Sequence, residues 1–101
     1  MATQAKAYII AEVEVHDAEG FEAYRSGVAP MIAAFGGRYL VRGGEVSALE
    51  GDAPTRRVVV LEFPSKAAAE TFWHSEEYRP VAALRHKSAN SRIFMIEGVL
   101  P

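Results

Sequence analysis

The chain has no cysteine, and that absence removes disulfides, thiolate nucleophiles and Cys-ligated zinc or iron–sulfur centres. Histidine is scarce as well: His16, His74 and His86 are the only three, with no H-x-x-x-H or H-x-x-E-H spacing. No metal site is therefore expected. Long apolar runs are missing too. A membrane span needs about 20 consecutive apolar residues, and the first apolar stretch is already broken by Glu12 and Glu14. The polar start from Met1 to Lys6 lacks the apolar region and cleavage site of a secretory signal, so a cytoplasmic location is the expectation. Neither sign of charge dominates: 11 Lys and Arg against 13 Asp and Glu leave a net charge of −2. Nothing in that balance asks for nucleic acid or an anionic membrane as partner. No G-x-S-x-G elbow and no Gly-rich loop followed by Lys is present, which removes two further common chemistries. What is there is ordinary globular material, 50% apolar and 24% charged over 101 residues. One domain spanning 1–101 fits that length, and it can bury a core without cross-links.

Ala7 to Val15, rich in Ile and Val, predicts a first strand. Asp17 is placed to cap a helix whose apolar stripe runs through Phe21, Tyr24, Val28, Met31, Ile32 and Phe35, with a kink expected at Pro30. Gly36-Gly37 stops it. Arg38 to Arg42 reads as a second strand, Gly43-Gly44 as a turn, and Glu45 to Glu50 as an extended piece. Arg56 to Phe63 gives the strongest strand signal. Ser65 then caps a helix through Ala68, Ala69, Phe72 and Trp73, and Ser75 opens another from about Glu76 to Lys87. Arg92 to Gly98 closes the chain as a fourth strand. The expected fold class is α+β, a ferredoxin-like βαββαβ antiparallel sheet with its helices on one face.

Such a sheet leaves its other face uncovered, and an uncovered face meeting only water should be polar. Alternation assigns Ala7, Ile9, Ala11, Val13, Val15, Val59, Leu61, Phe63, Phe94 and Ile96 to the helix side. Tyr8, Ile10, Val58, Val60, Ile93 and Met95 are left outward, with Glu12, Glu62, Glu97, Arg38 and Arg42 sharing their parity. An apolar face of that extent predicts a homodimer formed through it. Its charges would then either pair across the seam or line a polar cavity there. RNA-recognition domains share this topology but need outward aromatics on the central strand, where this chain presents Val58, Val60 and Glu62.

Several stretches taken together carry a family resemblance: Phe35-Gly36-Gly37-Arg38-Tyr39-Leu40-Val41-Arg42-Gly43-Gly44, then Leu49-Glu50-Gly51, Val59 to Ser65, and Phe72-Trp73-His74-Ser75-Glu76-Glu77-Tyr78 with Arg85 after it. On these the chain resembles the dimeric α/β-barrel superfamily, and more closely its family called domain of unknown function 1330. The resemblance implies a ferredoxin-like subunit that packs its sheet on that of a twin to form a barrel. It implies no particular chemistry, since the wider superfamily holds cofactor-independent monooxygenases, haem-degrading enzymes, lactone isomerases and binding-only stress proteins.

The candidate site residues follow from these segments. Arg42, Glu62, Tyr39, Tyr78 and Trp73 are the expected ligand contacts if a small molecule enters the barrel, with no cofactor called for. In an enzyme acting on a small aromatic or carbonyl compound, His74 or Glu62 would be the base and Arg42 would steady an oxyanion. In a purely structural module, Trp73 and Tyr78 would be core anchors, His74 a solvated helix end, and Arg42 a partner for Glu50.

Overall fold

Ala7–Val15 forms β1, one of the two inner strands of the sheet. The structure, a computed structural model, describes residues 4–100. Met1 to Thr3, part of the polar start read above, and Pro101 lie outside the described residues. After β1 come α1 (Ala18–Ala34), β2 (Arg38–Arg42), β3 (Arg57–Phe63), α2 (Lys66–Trp73), α3 (Tyr78–Ser88) and β4 (Ala89–Glu97). The strands form one sheet in the order β2-β3-β1-β4, antiparallel in every described pairing. This is the ferredoxin-like layout, with the second helix in two pieces.

The local signals account for most element ends. Asp17 accepts a hydrogen bond from the Gly20 amide at 3.2 Å and Ser65 accepts from the Ala68 amide at 3.1 Å, each satisfying a free donor at a helix start. Ser75 accepts from the Tyr78 amide at 3.2 Å while donating to the Phe72 carbonyl at 2.8 Å, so it links the end of α2 to the start of α3. α1 continues through Pro30 to Ala34. Gly36, at φ 87°, takes the left-handed conformation that ends it. The piece Glu45 to Glu50 pairs with no strand and belongs to a loop in which Leu49 is 98% exposed.

Two facing assignments are corrected by the registry of the strands. Ile9 pairs with Met95 and Ala11 with Ile93, so Met95 and Ile93 face the helices, while Phe94 and Ile96 stand on the open face beside Ile10 and Tyr8. Glu97 lies opposite Ala7 and is likewise on the helix side. All four residues from Ile93 to Ile96 are apolar, so alternation alone cannot choose between the two parities. The choice is made by Arg92, whose guanidinium donates to Glu12 at 2.8 Å on the open face. The second correction concerns Arg42. The ladder shifts between Tyr39 and Val41, so Val41 lies opposite Val60 on the open face and Arg42 lies opposite Val59 on the helix side with Tyr39. A bulge takes up one residue and reverses the parity beyond it.

The core lies between sheet and helices. Phe63 and Phe72 are almost fully buried, with ring centroids 5.4 Å apart and nearly stacked, and Tyr78 packs 4.7 Å from Phe72. Gly37 is where the chain passes closest to this core. A Cβ there would stand 2.6 Å from the Phe63 ring and 3.0 Å from Ile32. Gly37→Ala is therefore expected to destabilise by about 1–3 kcal/mol through overpacking. For a domain of this size, that lowers the thermal midpoint by at least about 4 °C, measurable by calorimetry.

Candidate functional site

Between the helix-facing side of the sheet and the inner faces of α1, α2 and α3 lies a cavity of about 180 Å³. An engineered apolar cavity of about 150 Å³ admits benzene, so this one has room for a single ring. Its floor comes from the small and branched residues Ile9, Ala11, Val13 and Val59 of the sheet. The walls are aromatic: Phe21 and Tyr24 from α1, Tyr39 from β2, Phe72 and Trp73 from α2, and Tyr78 from α3. The charged lining is one-sided, with Arg25, Arg42, Arg57 and Arg85 facing the single carboxylate of Glu22. Of these, Arg25 is engaged with Glu22 at 3.2 Å on the exposed surface of α1.

Four residues expected at a site come together here: Tyr39, Arg42, Trp73 and Tyr78 all line the cavity. The position of the cavity differs from the expectation, since it lies under the chain's own helices rather than in a seam between sheets. The Arg42 guanidinium sits 3.8 Å from the centre of the Tyr39 ring, a cation–π contact, and no pairing with Glu50 is found among the described residues. Glu62 is elsewhere. It stands on the open face, where Arg38 Nε donates to it at 2.8 Å and Lys6 Nζ lies at 3.8 Å. The Arg38 hydrogen bond holds its carboxyl below the usual carboxylate range, against the opposing effect of desolvation. His74 is exposed and borders a separate cleft with Trp73, Ile93, Phe94 and Met95. No group of three His, Asp or Glu side chains among the described residues is placed to hold a metal ion. No helix among them is long and apolar enough to cross a membrane.

Tyr24 and Arg57 were not singled out by sequence reasoning. Tyr24 reads as one member of a core stripe, yet its hydroxyl lies 3.1 Å from that of Tyr78, and Arg85 donates to the Tyr78 hydroxyl at 3.4 Å. The Arg85 guanidinium also lies 5.5 Å from the Tyr24 ring centre and 5.8 Å from that of Trp73. Burial lowers the Arg85 pKa, but the Tyr78 and Tyr24 hydroxyls outweigh it and the net direction is upward. The group therefore stays cationic. Burial pushes the Tyr24 phenol well above its ordinary value, with Tyr78 reinforcing the shift. Burial also raises Tyr39, opposed by Arg42, Arg25 and Arg57.

The arrangement defines an aromatic, cation-rich pocket in a ferredoxin-like domain. The chain belongs to the family described as domain of unknown function (DUF1330), which matches residues 6–99. Comparison with curated proteins finds no match. Among solved structures, the chain is similar to a protein of unknown function from Rhodopseudomonas palustris, at 21% identity and a TM-score of 0.74, covering 97% of this chain and 85% of that one. It is similar to SnoaB, a cofactor-independent oxygenase from Streptomyces nogalater, at 15% identity and a TM-score of 0.62, covering 96% of each chain. It is also similar to a dimeric ferredoxin-like protein of unknown function from Thermobifida fusca, at 11% identity and a TM-score of 0.63, covering 96% of this chain and 94% of that one. At these identities the likeness is one of fold.

The raised Tyr24 phenol has a consequence for stability. Its folded-state value lies above the unfolded value of about 10, so its contribution is intact below that pH and lost as pH rises through the alkaline range. In spectrophotometric titration the folded protein should show less phenolate at about pH 11 than four ordinary tyrosines would give. Tyr24→Phe should flatten the decline of the thermal midpoint above pH ~10 relative to wild type.

Proposed function

We propose that two copies of this chain pair through the open faces of their sheets and that each subunit binds a small molecule in the cavity beneath its helices. The observation that carries the binding reading is the cavity itself, with room for one ring, aromatic walls and polar groups converging on it. A core packed solid would have favoured a purely structural module.

Support for pairing comes from the open face. Val41, Val60, Ile10 and Phe94 lie opposite one another in a single row across all four strands. Charged residues stand on both sides of this belt, Arg38 with Glu62 in one neighbouring row and Arg92 with Glu12 in the other, each pair at 2.8 Å. Phe94 is 44% exposed and Ile96 54% in the single subunit. Fully burying such a side chain is worth about 1.5–3 kcal/mol, and a twin sheet supplies that cover by two-fold symmetry. The Thermobifida fusca protein of the same fold is a dimer.

An enzymatic reading, a cofactor-independent oxygenase or isomerase, has the activity of SnoaB in its favour. Against it, neither His74 nor Glu62 lines the cavity with Arg42. Binding without catalysis is the better reading of these side chains.

Light scattering at micromolar concentration should give twice the subunit mass. Ile10→Glu places a carboxylate in the middle of the apolar belt and should yield monomers; a monomeric wild type would defeat the pairing. For the pocket, Trp73 is the sole tryptophan of the chain and lines the cavity, so its fluorescence reports occupancy directly. Screening aromatic and carbonyl metabolites by that signal and by thermal shift should give hits that disappear in Ala11→Leu, which fills the floor.

A further inference from the structure

The cavity contains a charge with no counter-ion. Arg85 is 5% exposed, and no carboxylate among the described residues comes within 4.0 Å of it. Its one side-chain hydrogen bond is the long one to the Tyr78 hydroxyl, and its Nε has no partner. An unpaired guanidinium in such a place is costly unless something anionic joins it. The neighbouring Tyr24 phenol cannot take that part, since burial and its Tyr78 neighbour keep it protonated.

The other unsatisfied donors lie close by. Among the described residues, the buried side-chain polar atoms lacking a partner are Arg57 Nε, Arg85 Nε and Ser91 Oγ. Arg57 and Ser91 both lie opposite Val13, on either side of it, so the three form one row across the helix-facing side of the sheet. Strand spacing of about 4.7–4.9 Å puts the outer two about 10 Å apart. Arg85 lines the main cavity with Arg57 and the adjoining cleft with Ser91, so it is the member common to both. Two orphaned guanidinium donors in one cavity, with a third orphaned donor in the adjoining cleft, are hard to explain as packing, because buried polar groups are otherwise satisfied.

The backbone is shaped to hold Arg57 there. Gly43 has φ 70°, and a Cβ on it would stand 2.6 Å from Arg57 Cζ, so the turn after β2 closes directly on the guanidinium. Exposure also grades inward: Arg25 and Arg42 are exposed, Arg57 is half-buried and Arg85 is buried. A cleft of one sign with low-dielectric walls draws opposite charge along it.

We infer that the ligand of this cavity is a small planar monocarboxylate, an aromatic acid being the simplest case, with its anionic head on Arg85 in the cavity that Arg57 also lines. The inference rests on the binding reading above and adds the chemical class. A carboxylate matches the planar fork of a guanidinium, one negative charge neutralises the one buried cation, and a single ring suits the volume and the walls formed by Tyr24, Trp73 and Tyr78.

The test titrates the intact protein with matched pairs, benzoate against benzamide and salicylate against salicylamide, following Trp73 fluorescence and calorimetric heat, with inorganic phosphate as a further probe. The acids should bind at least tenfold more tightly than their amides. Arg85→Met and Arg57→Gln should each abolish that preference, with folding checked by circular dichroism. A second readout separates recognition from packing. Without ligand, Arg85→Met should melt at a higher temperature than wild type, because a buried charge has been replaced by an apolar chain. With saturating benzoate the order should reverse. Equal binding of acids and amides, or phosphate bound in place of the acids, overturns the carboxylate assignment and leaves the pocket reading standing. If neither member of either pair binds, the pocket reading itself fails.

Discussion

The contact between Phe63 and Phe72 fixes where everything else can sit. Phe63 ends β3 and Phe72 lies near the end of α2, so their near-stacked rings anchor α2 over one end of the sheet. Tyr78, packed against Phe72 at 4.7 Å, carries the same anchor into the start of α3. Trp73 follows Phe72 directly in sequence and is packed 5.3 Å from Tyr78. The aromatic seam is thus the core at one end and the wall of the cavity at the other. A cavity beside such rings survives because the facing sheet residues, Ala11 above all, are too small to fill it.

How far this was legible from the sequence depends on how much each position is constrained by its neighbours. β1 has one wholly apolar parity and one mixed parity, so its two faces were readable without a structure. β4 is apolar on both parities from Ile93 to Ile96, and there the assignment reversed. Only the Arg92–Glu12 pair and the antiparallel registry with β1 decide it. The bulge between Tyr39 and Val41 leaves no signal in local composition, since Tyr39 to Arg42 reads as an ordinary short strand. Missing it moved Arg42 from the cavity to the open face and moved the cavity with it. Tyr39, Trp73 and Tyr78 were recognised as aromatic residues near a pocket, but nothing in their spacing shows that Tyr24 would meet Tyr78 from a helix 54 positions away.

Strand alternation also sorts the charges. Glu62 lies between Leu61 and Phe63, which are core residues, so its carboxylate must point to the open face, where it meets Arg38. Glu12 lies between Ala11 and Val13 and points the same way, to Arg92. These carboxylates are partnered by basic residues of their own face. Ion pairs with one well-exposed member contribute little to folding, but beside the apolar row they would oppose many wrong alignments of two sheets and permit a matching one.

The same alternation leaves the helix side short of carboxylates. Arg57 begins β3 on that side, Arg42 arrives there through the bulge, and Arg85 is brought down by α3. A chain of net charge −2 therefore lines this aromatic cavity with four guanidinium groups and a single carboxylate. Net charge is a sum over the whole surface and is silent about such a separation. The field at a site is set by the few charges within reach of it, and those nearest the water-poor end count most because solvent screens them least. Judged on the sum, anions have no reason to approach this protein. Judged on the groups that share low-dielectric space with Arg85, an anion has a reason to enter that a neutral ring of the same shape lacks, because it supplies the charge that the fold itself withholds.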